Sequence, residues 1–131
     1  MTAIIDHAGL TVTDFVLSRG FYTAALRTLG ILLLSDFEHG RKRHAGYGKE
    51  RPTFWIADGK KTRGDAHIAF IADSRSEVTA FYTVALSMGG RDNGPPGLRP
   101  HYRPDYYSAF VLDHDGHNIE AVYLGPEGGT P

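Results

Sequence analysis

The chain contains no cysteine, which excludes disulfides, thiolate metal centres and a cysteine nucleophile. It has almost no net charge. Fourteen Lys and Arg against 15 Asp and Glu leave −1, so nothing points to nucleic acid or an acidic membrane as a partner. The one basic run, Arg41 to His44, reads as a solvated hairpin tip. No stretch approaches the ~18 apolar residues of a membrane span. The N-terminus has no charged-then-apolar leader, so the expectation is a cytoplasmic protein. With 41% hydrophobic and 22% charged residues in 131, the composition is that of one compact globular domain.

Against these absences stands an internal repeat. An offset of 60 carries His7 to His67, Phe21-Tyr22-Thr23 to Phe81-Tyr82-Thr83, Ala25-Leu26 to Ala85-Leu86 and Gly30 to Gly90. A repeat of this length implies two modules, each burying its apolar face against its twin. The first covers about residues 1–59, the second about 64–124, and Gly125 to Pro131 has the composition of a frayed tail.

Within the first module Ile4 to Val12 reads as a strand, Thr13 and Asp14 as helix-capping residues, and Tyr22, Ala25, Leu26 and Leu29 as a buried helical stripe. Gly30 closes that helix. Strands are expected at 31–37, 43–47 and 53–57. The second module repeats the order: a strand at 66–72, Ser74 as N-cap with Glu77 three residues on, and a helix over 77–88. A proline- and glycine-rich loop at 93–104 follows, then a strand at 107–112, a hairpin turn at Asp113-His-Asp-Gly116 and a last strand at 118–123. The fold class is therefore α+β. Two βαβββ modules would form a curved eight-stranded mixed sheet around a cavity, with the helices outside.

Strand alternation turns Leu10, Val12, Ile68 and Phe70 toward the helices and His7 and His67 toward the cavity. A lone histidine is more often structural than a ligand, but a pseudo-twofold repeat brings equivalent positions face to face. Glu120 shares the inward parity of the last strand with Asn118 and Val122. A carboxylate there is costly unless it binds a cation or pairs with an arginine such as Arg99 or Arg103. Two imidazoles and one carboxylate are the ligand set of a facial triad suited to a divalent metal, and it is for the fold to bring them together.

These residues resemble the vicinal oxygen chelate superfamily, which includes glyoxalase I, extradiol dioxygenases, fosfomycin-resistance thiol transferases and bleomycin-resistance binding proteins. The resemblance rests on Asp6-His7, Val12-Thr-Asp14 with Ser18 and Phe21-Tyr22, Ala66-His67-Ile-Ala-Phe70 and, most specifically, Asp113-His-Asp-Gly-His-Asn-Ile-Glu120. It implies a homodimer, sometimes with modules paired across subunits, and metal ligation by His7, His67 and Glu120. The metal would be Zn, Mn, Fe or Ni, or none in a binding protein. Where glyoxalase I takes a fourth ligand, this chain offers Trp55 or Ile56, which argues against that activity.

The 93–104 loop and the residues just after it concentrate Arg99, His101, Tyr102, Arg103, Tyr106 and Tyr107 among prolines. Tyr102 and Tyr107 are the acid/base candidates; Arg99, His101 and Trp55 are candidate substrate contacts, with a surface or dimer loop and a plain core Trp as the bland alternatives. The functional expectation is a metal-dependent enzyme with lyase, dioxygenase or thiol-transferase chemistry on a small oxygen-rich molecule. The alternative is a non-catalytic protein that sequesters a small molecule.

Overall fold

A computed structural model describes residues 4–126. The expected frayed tail lies, from residue 127 on, outside the described residues. The first module runs β1 (Ala8–Val12), α1 (Phe15–Arg27), β2 (Leu32–His39), β3 (Lys42–Gly48) and β4 (Pro52–Asp58). The second runs β5 (His67–Ile71), α2 (Arg75–Ser87), β6 (Arg91–Leu98), β7 (Tyr106–Leu112) and β8 (Asn118–Leu124).

Local chemistry accounts for the element ends. The Asp14 carboxylate accepts from the Leu17 amide at 3.1 Å and caps α1. Past its end, Gly30 takes φ +74, a left-handed conformation that L side chains rarely adopt. Ser74 caps α2 by accepting from the Glu77 amide, and the Glu77 carboxylate reaches back to the Asp73 amide at 2.8 Å. β1 begins at Ala8 rather than Ile4, because the ladder to β4 starts at Ala8↔Phe54 and leaves Ile4 and Ile5 exposed.

The loop expected over 93–104 is a strand for half its length. β6 is an edge strand pairing only with β7, so a missing proline N–H costs it no second ladder. Its register jumps between Asp92 and Gly94 and again between Gly94 and Gly97, which lets Pro95 and Pro96 bulge out.

The eight strands form two four-stranded sheets, ordered β1-β4-β3-β2 and β5-β8-β7-β6, rather than one continuous sheet. Each sheet is mixed: parallel at β1/β4 and β5/β8, antiparallel elsewhere. The edge of β1 is taken by the inter-module linker, with the Thr11 amide donating to Thr62 Oγ1 at 2.8 Å and the Thr62 amide donating to the Thr11 carbonyl at 3.1 Å. β1 and β5 are not hydrogen-bonded to each other.

Each helix covers one face of its own sheet, and the two helices also touch. Leu10, Val12, Tyr47, Phe54 and Ile56 of the first sheet, Phe21, Tyr22 and Leu26 of α1, Phe70, Val111 and Ile119 of the second sheet, and Val78 and Phe81 of α2 form one buried cluster. The modules join through aromatic contacts: the rings of Phe54 and Phe70 are 5.1 Å apart, and those of Phe21 and His114 are 5.6 Å apart. A buried polar latch reinforces the junction. Tyr22 of α1 donates to Asp113 Oδ2 at 2.5 Å, and His117 Nδ1 lies 2.8 Å from the same oxygen. The other oxygen, Oδ1, accepts from the amides of Asp115 and His117.

This burial has a consequence at high pH. Desolvation, and then the Asp113 charge, hold the Tyr22 hydroxyl well above its ordinary pKa; burial raises Tyr47 as well. Above about pH 10 the unfolded chain loses these protons while the folded chain keeps them, so stability present below that pH falls as pH rises. Urea melts at pH 8 and pH 11 are expected to show a lower midpoint at pH 11. Replacing Tyr22 by phenylalanine should flatten that difference.

Candidate functional site

The face of each sheet turned away from its helix is the more accessible one. In the second sheet it carries His67, Ala69 and Ile71 of β5, Asn118, Glu120 and Val122 of β8, and Ser108 and Phe110 of β7, as the registers His67↔Asn118, Ala69↔Glu120 and Phe110↔Glu120 require. Ile71 is 75% exposed, yet Glu120 is only 1% exposed. Its neighbours on the same face cover it.

Those neighbours also satisfy it. His67 Nε2 lies 2.9 Å from Glu120 Oε1, and the Tyr106 hydroxyl donates to Oε2 at 2.5 Å. Neither Arg99 nor Arg103 pairs with Glu120. The His67 ring leans on Phe110, with centroids 6.1 Å apart and planes tilted 32°. Burial, and next the hydrogen bond and charge of Glu120, push the Tyr106 hydroxyl far above the usual tyrosine range. Tyr106 is therefore a neutral donor to the carboxylate throughout the physiological range.

The donor set fits a divalent cation. Two ligand atoms each about 2.1 Å from one cation and at right angles to each other stand about 3 Å apart. Nε2 and Oε1 have that separation, with a buried carboxylate behind them. Tyr106 on the outer oxygen supplies the support that metal-binding carboxylates usually have.

His7 stands elsewhere. It lies one residue before β1, with Nδ1 2.7 Å from Asp6 Oδ2, and Arg51 pairs with the same aspartate at 3.0 Å. The His7 hydrogen bond and the Arg51 charge lower the Asp6 pKa. Among the described residues, no three His, Asp or Glu side chains come together as a metal-binding group. A cleft of about 670 Å³ between the modules is lined by Lys49, Arg51, Thr53, Ala69 and Ile71, and its lining does not include His67 or Glu120.

The register also settles which residue of the first module matches Glu120. Gly9 pairs with Trp55 as Ala69 pairs with Glu120, so the equivalent is Trp55, not Ile56. Its indole lies over Gly46, where an added Cβ would sit 2.7 Å from the ring. Phe37 meets Trp55 edge-on at 5.8 Å and stacks on His44 at 4.8 Å and 9°. The accessible face of the first sheet is thus aromatic where that of the second is ionic.

Of the expected acid/base tyrosines, Tyr107 is directed the other way. It sits on the helix side, with the Arg75 guanidinium over its ring at 4.8 Å, because residues of alternate parity in β7 take opposite faces. Tyr102 is on the rim: its ring packs against Tyr106 at 4.9 Å and against His101 at 4.3 Å. Tyr106 is the tyrosine in the site. A count from the hairpin finds it, since the turn sets Leu112 opposite Asn118 and every second residue back along β7 shares the face of Glu120. The same count finds Phe110.

Comparison with known proteins agrees with this fold. The chain belongs to the Glyoxalase/Bleomycin resistance protein/Dioxygenase superfamily, whose model matches residues 4–121. No curated protein matches it. Among solved structures it is similar to a glyoxalase/bleomycin resistance protein from Albidiferax ferrireducens, with 29% identity, a TM-score of 0.77, and coverage of 94% of this chain and 100% of the other. Two more distant likenesses bear on the fold alone. The fosfomycin resistance protein FosX from Listeria monocytogenes, solved as a mutant with Mn(II) and 1S,2S-dihydroxypropylphosphonic acid, is 20% identical with a TM-score of 0.65, covering 99% and 93% of the two chains. A glyoxalase I mutant from Zea mays is 21% identical with a TM-score of 0.68, covering 90% of this chain and 43% of that one. No helix among the described residues is long and apolar enough to cross a membrane.

Proposed function

We propose that this chain is a metal-dependent enzyme of its superfamily acting on a small oxygen-rich molecule, and that its ligand set is completed in a homodimer. The observation that carries the reading is the buried Glu120 carboxylate held against His67 Nε2 at the spacing of two ligands to one cation. His7, the repeat equivalent of His67, would be the third ligand. Since His7 has no contact with His67 or Glu120 in one chain, and β1 and β5 are unpaired to each other, a second copy is the natural source of the missing imidazole. Pairing of module one with module two across a twofold axis would build two equal sites.

A bound divalent cation supplies Lewis-acid polarisation of the substrate oxygens. The chain's own residues do the rest. Tyr106 holds the outer oxygen of Glu120 and keeps its inner oxygen aimed at His67. Phe110 fixes the plane of the imidazole. Tyr102 and His101 form the rim through which a substrate would enter. Trp55 in the position equivalent to Glu120 leaves no carboxylate for a fourth ligand or a general base, which argues against glyoxalase I chemistry.

A second reading, sequestration without catalysis, draws its support from the accessible aromatic panel of Phe37, His44 and Trp55. Metal analysis of protein purified without chelator separates the two. About one divalent cation per chain is expected in the wild type and close to none in His67→Ala. Equal metal content in both would remove the enzymatic reading, and saturable binding of an aromatic ligand in EDTA would then support the second.

A further inference from the structure

Beside the His67–Glu120 pair the second sheet holds a cation in place. The Arg99 guanidinium lies over the Phe110 ring at 5.4 Å from its centroid, and Nη2 donates to the Pro95 carbonyl at 2.6 Å. Its backbone is tied down as well. The Arg99 amide donates to the Tyr106 carbonyl at 2.7 Å, and the Arg99 carbonyl accepts from the amides of Tyr102 and Arg103.

Two glycines make the seat. A Cβ at Gly94 would meet Nη2 at 3.2 Å and Phe110 at 3.0 Å, and a Cβ at Gly97 would meet Nη1 at 3.1 Å. Arg19, Arg43, Arg51 and Arg103 all pair with aspartates. Among the described residues Arg99 has no carboxylate partner, and Nε and Nη1 have no acceptor. A half-buried guanidinium fixed by stacking and one carbonyl, with its free edge unspent, is preorganised for a planar oxyanion. Phe110 under it is the same ring that His67 leans on.

We propose that Arg99 is the anion seat of this site and that its ligand is a small carboxylic acid. The carboxylate would be taken by the free edge of Arg99, and the body of the molecule would extend past Phe110 toward His67 and Glu120. This rests on the site proposed above, but it concerns the charge of the ligand and not the presence of a metal.

The test compares benzoate with benzyl alcohol, which share a ring and differ in the carboxylate, by isothermal titration against the purified homogeneous protein. Benzoate is expected to bind the wild type at least about tenfold more tightly, as a charge-assisted pair requires, and to weaken with salt. Arg99→Met should bring benzoate down to the level of benzyl alcohol. Arg99→Lys should recover only part of the difference, because an ammonium lacks the planar fork. Mn²⁺ affinity, measured on the same samples, should be the same in all three proteins. That control separates failure of the anion seat from failure of the metal site, and a melting temperature within a few degrees shows that each variant is folded. Equal binding of the two probes to wild type, no binding of benzoate, or an unchanged preference in Arg99→Met would overturn the proposal.

Discussion

Replacing Asp113 by alanine is expected to cost the folded chain about 3–5 kcal/mol, the usual loss when one member of a buried charged network is removed. The substitution strips the acceptor from Tyr22 in the first module and from His117 in the second. It also leaves the turn amides of Asp115 and His117 without their cap. Tyr22, Asp113 and His117 are all buried, and water cannot replace the carboxylate without opening the junction. Urea denaturation followed by circular dichroism measures the loss. An effect below about 1 kcal/mol would mean that the aromatic contacts alone hold the modules together.

Glu120→Gln is expected to do the opposite: little to the fold and much to the site. A glutamine oxygen still accepts from Tyr106, and the amide keeps the volume, so stability should change by less than about 1 kcal/mol. Mn²⁺ affinity should fall by about 100-fold or more, beyond the 10–100-fold that a supporting residue is worth. The comparison with Tyr106→Phe is informative, because Tyr106 is such a supporting residue and its loss should fall inside that lower range. Equal losses in the two variants would mean that Glu120 acts through Tyr106 and not as a ligand.

Much of this molecule was legible in the chain because the chemistry is local. Asp14, Ser74 with Glu77, and Gly30 mark helix ends by side-chain hydrogen bonds or by a backbone angle, and those signals survive any tertiary arrangement. Period-two alternation put Glu120 on the face of His67 and Ile119 on the face of α2, because a strand buried on one side has no freedom to slip. What failed was non-local. Pro95 and Pro96 read as loop residues, and only the edge position of β6 lets them sit in a strand. Tyr102 and Tyr107 are the tyrosines expected to act, whereas the count from the Asp113 turn puts Tyr106 on the face of Glu120. The 60-residue repeat makes His7 and His67 equivalent in sequence but says nothing of which copy of each module they meet. The division into two sheets depends on where the linker runs, and Thr62 on the edge of β1 has no signature in the sequence.

The central claim is that His67 and Glu120 of one copy share a cation with His7 of another. His7→Ala and His67→Ala proteins, each expected to bind no Mn²⁺, can be unfolded together, refolded as a mixture and titrated with Mn²⁺. Random pairing makes half of the dimers mixed, and each mixed dimer has one intact site and one doubly defective one. The mixture is therefore expected to bind about a quarter of the Mn²⁺ that the wild type binds. A mixture that binds none would contradict the shared site.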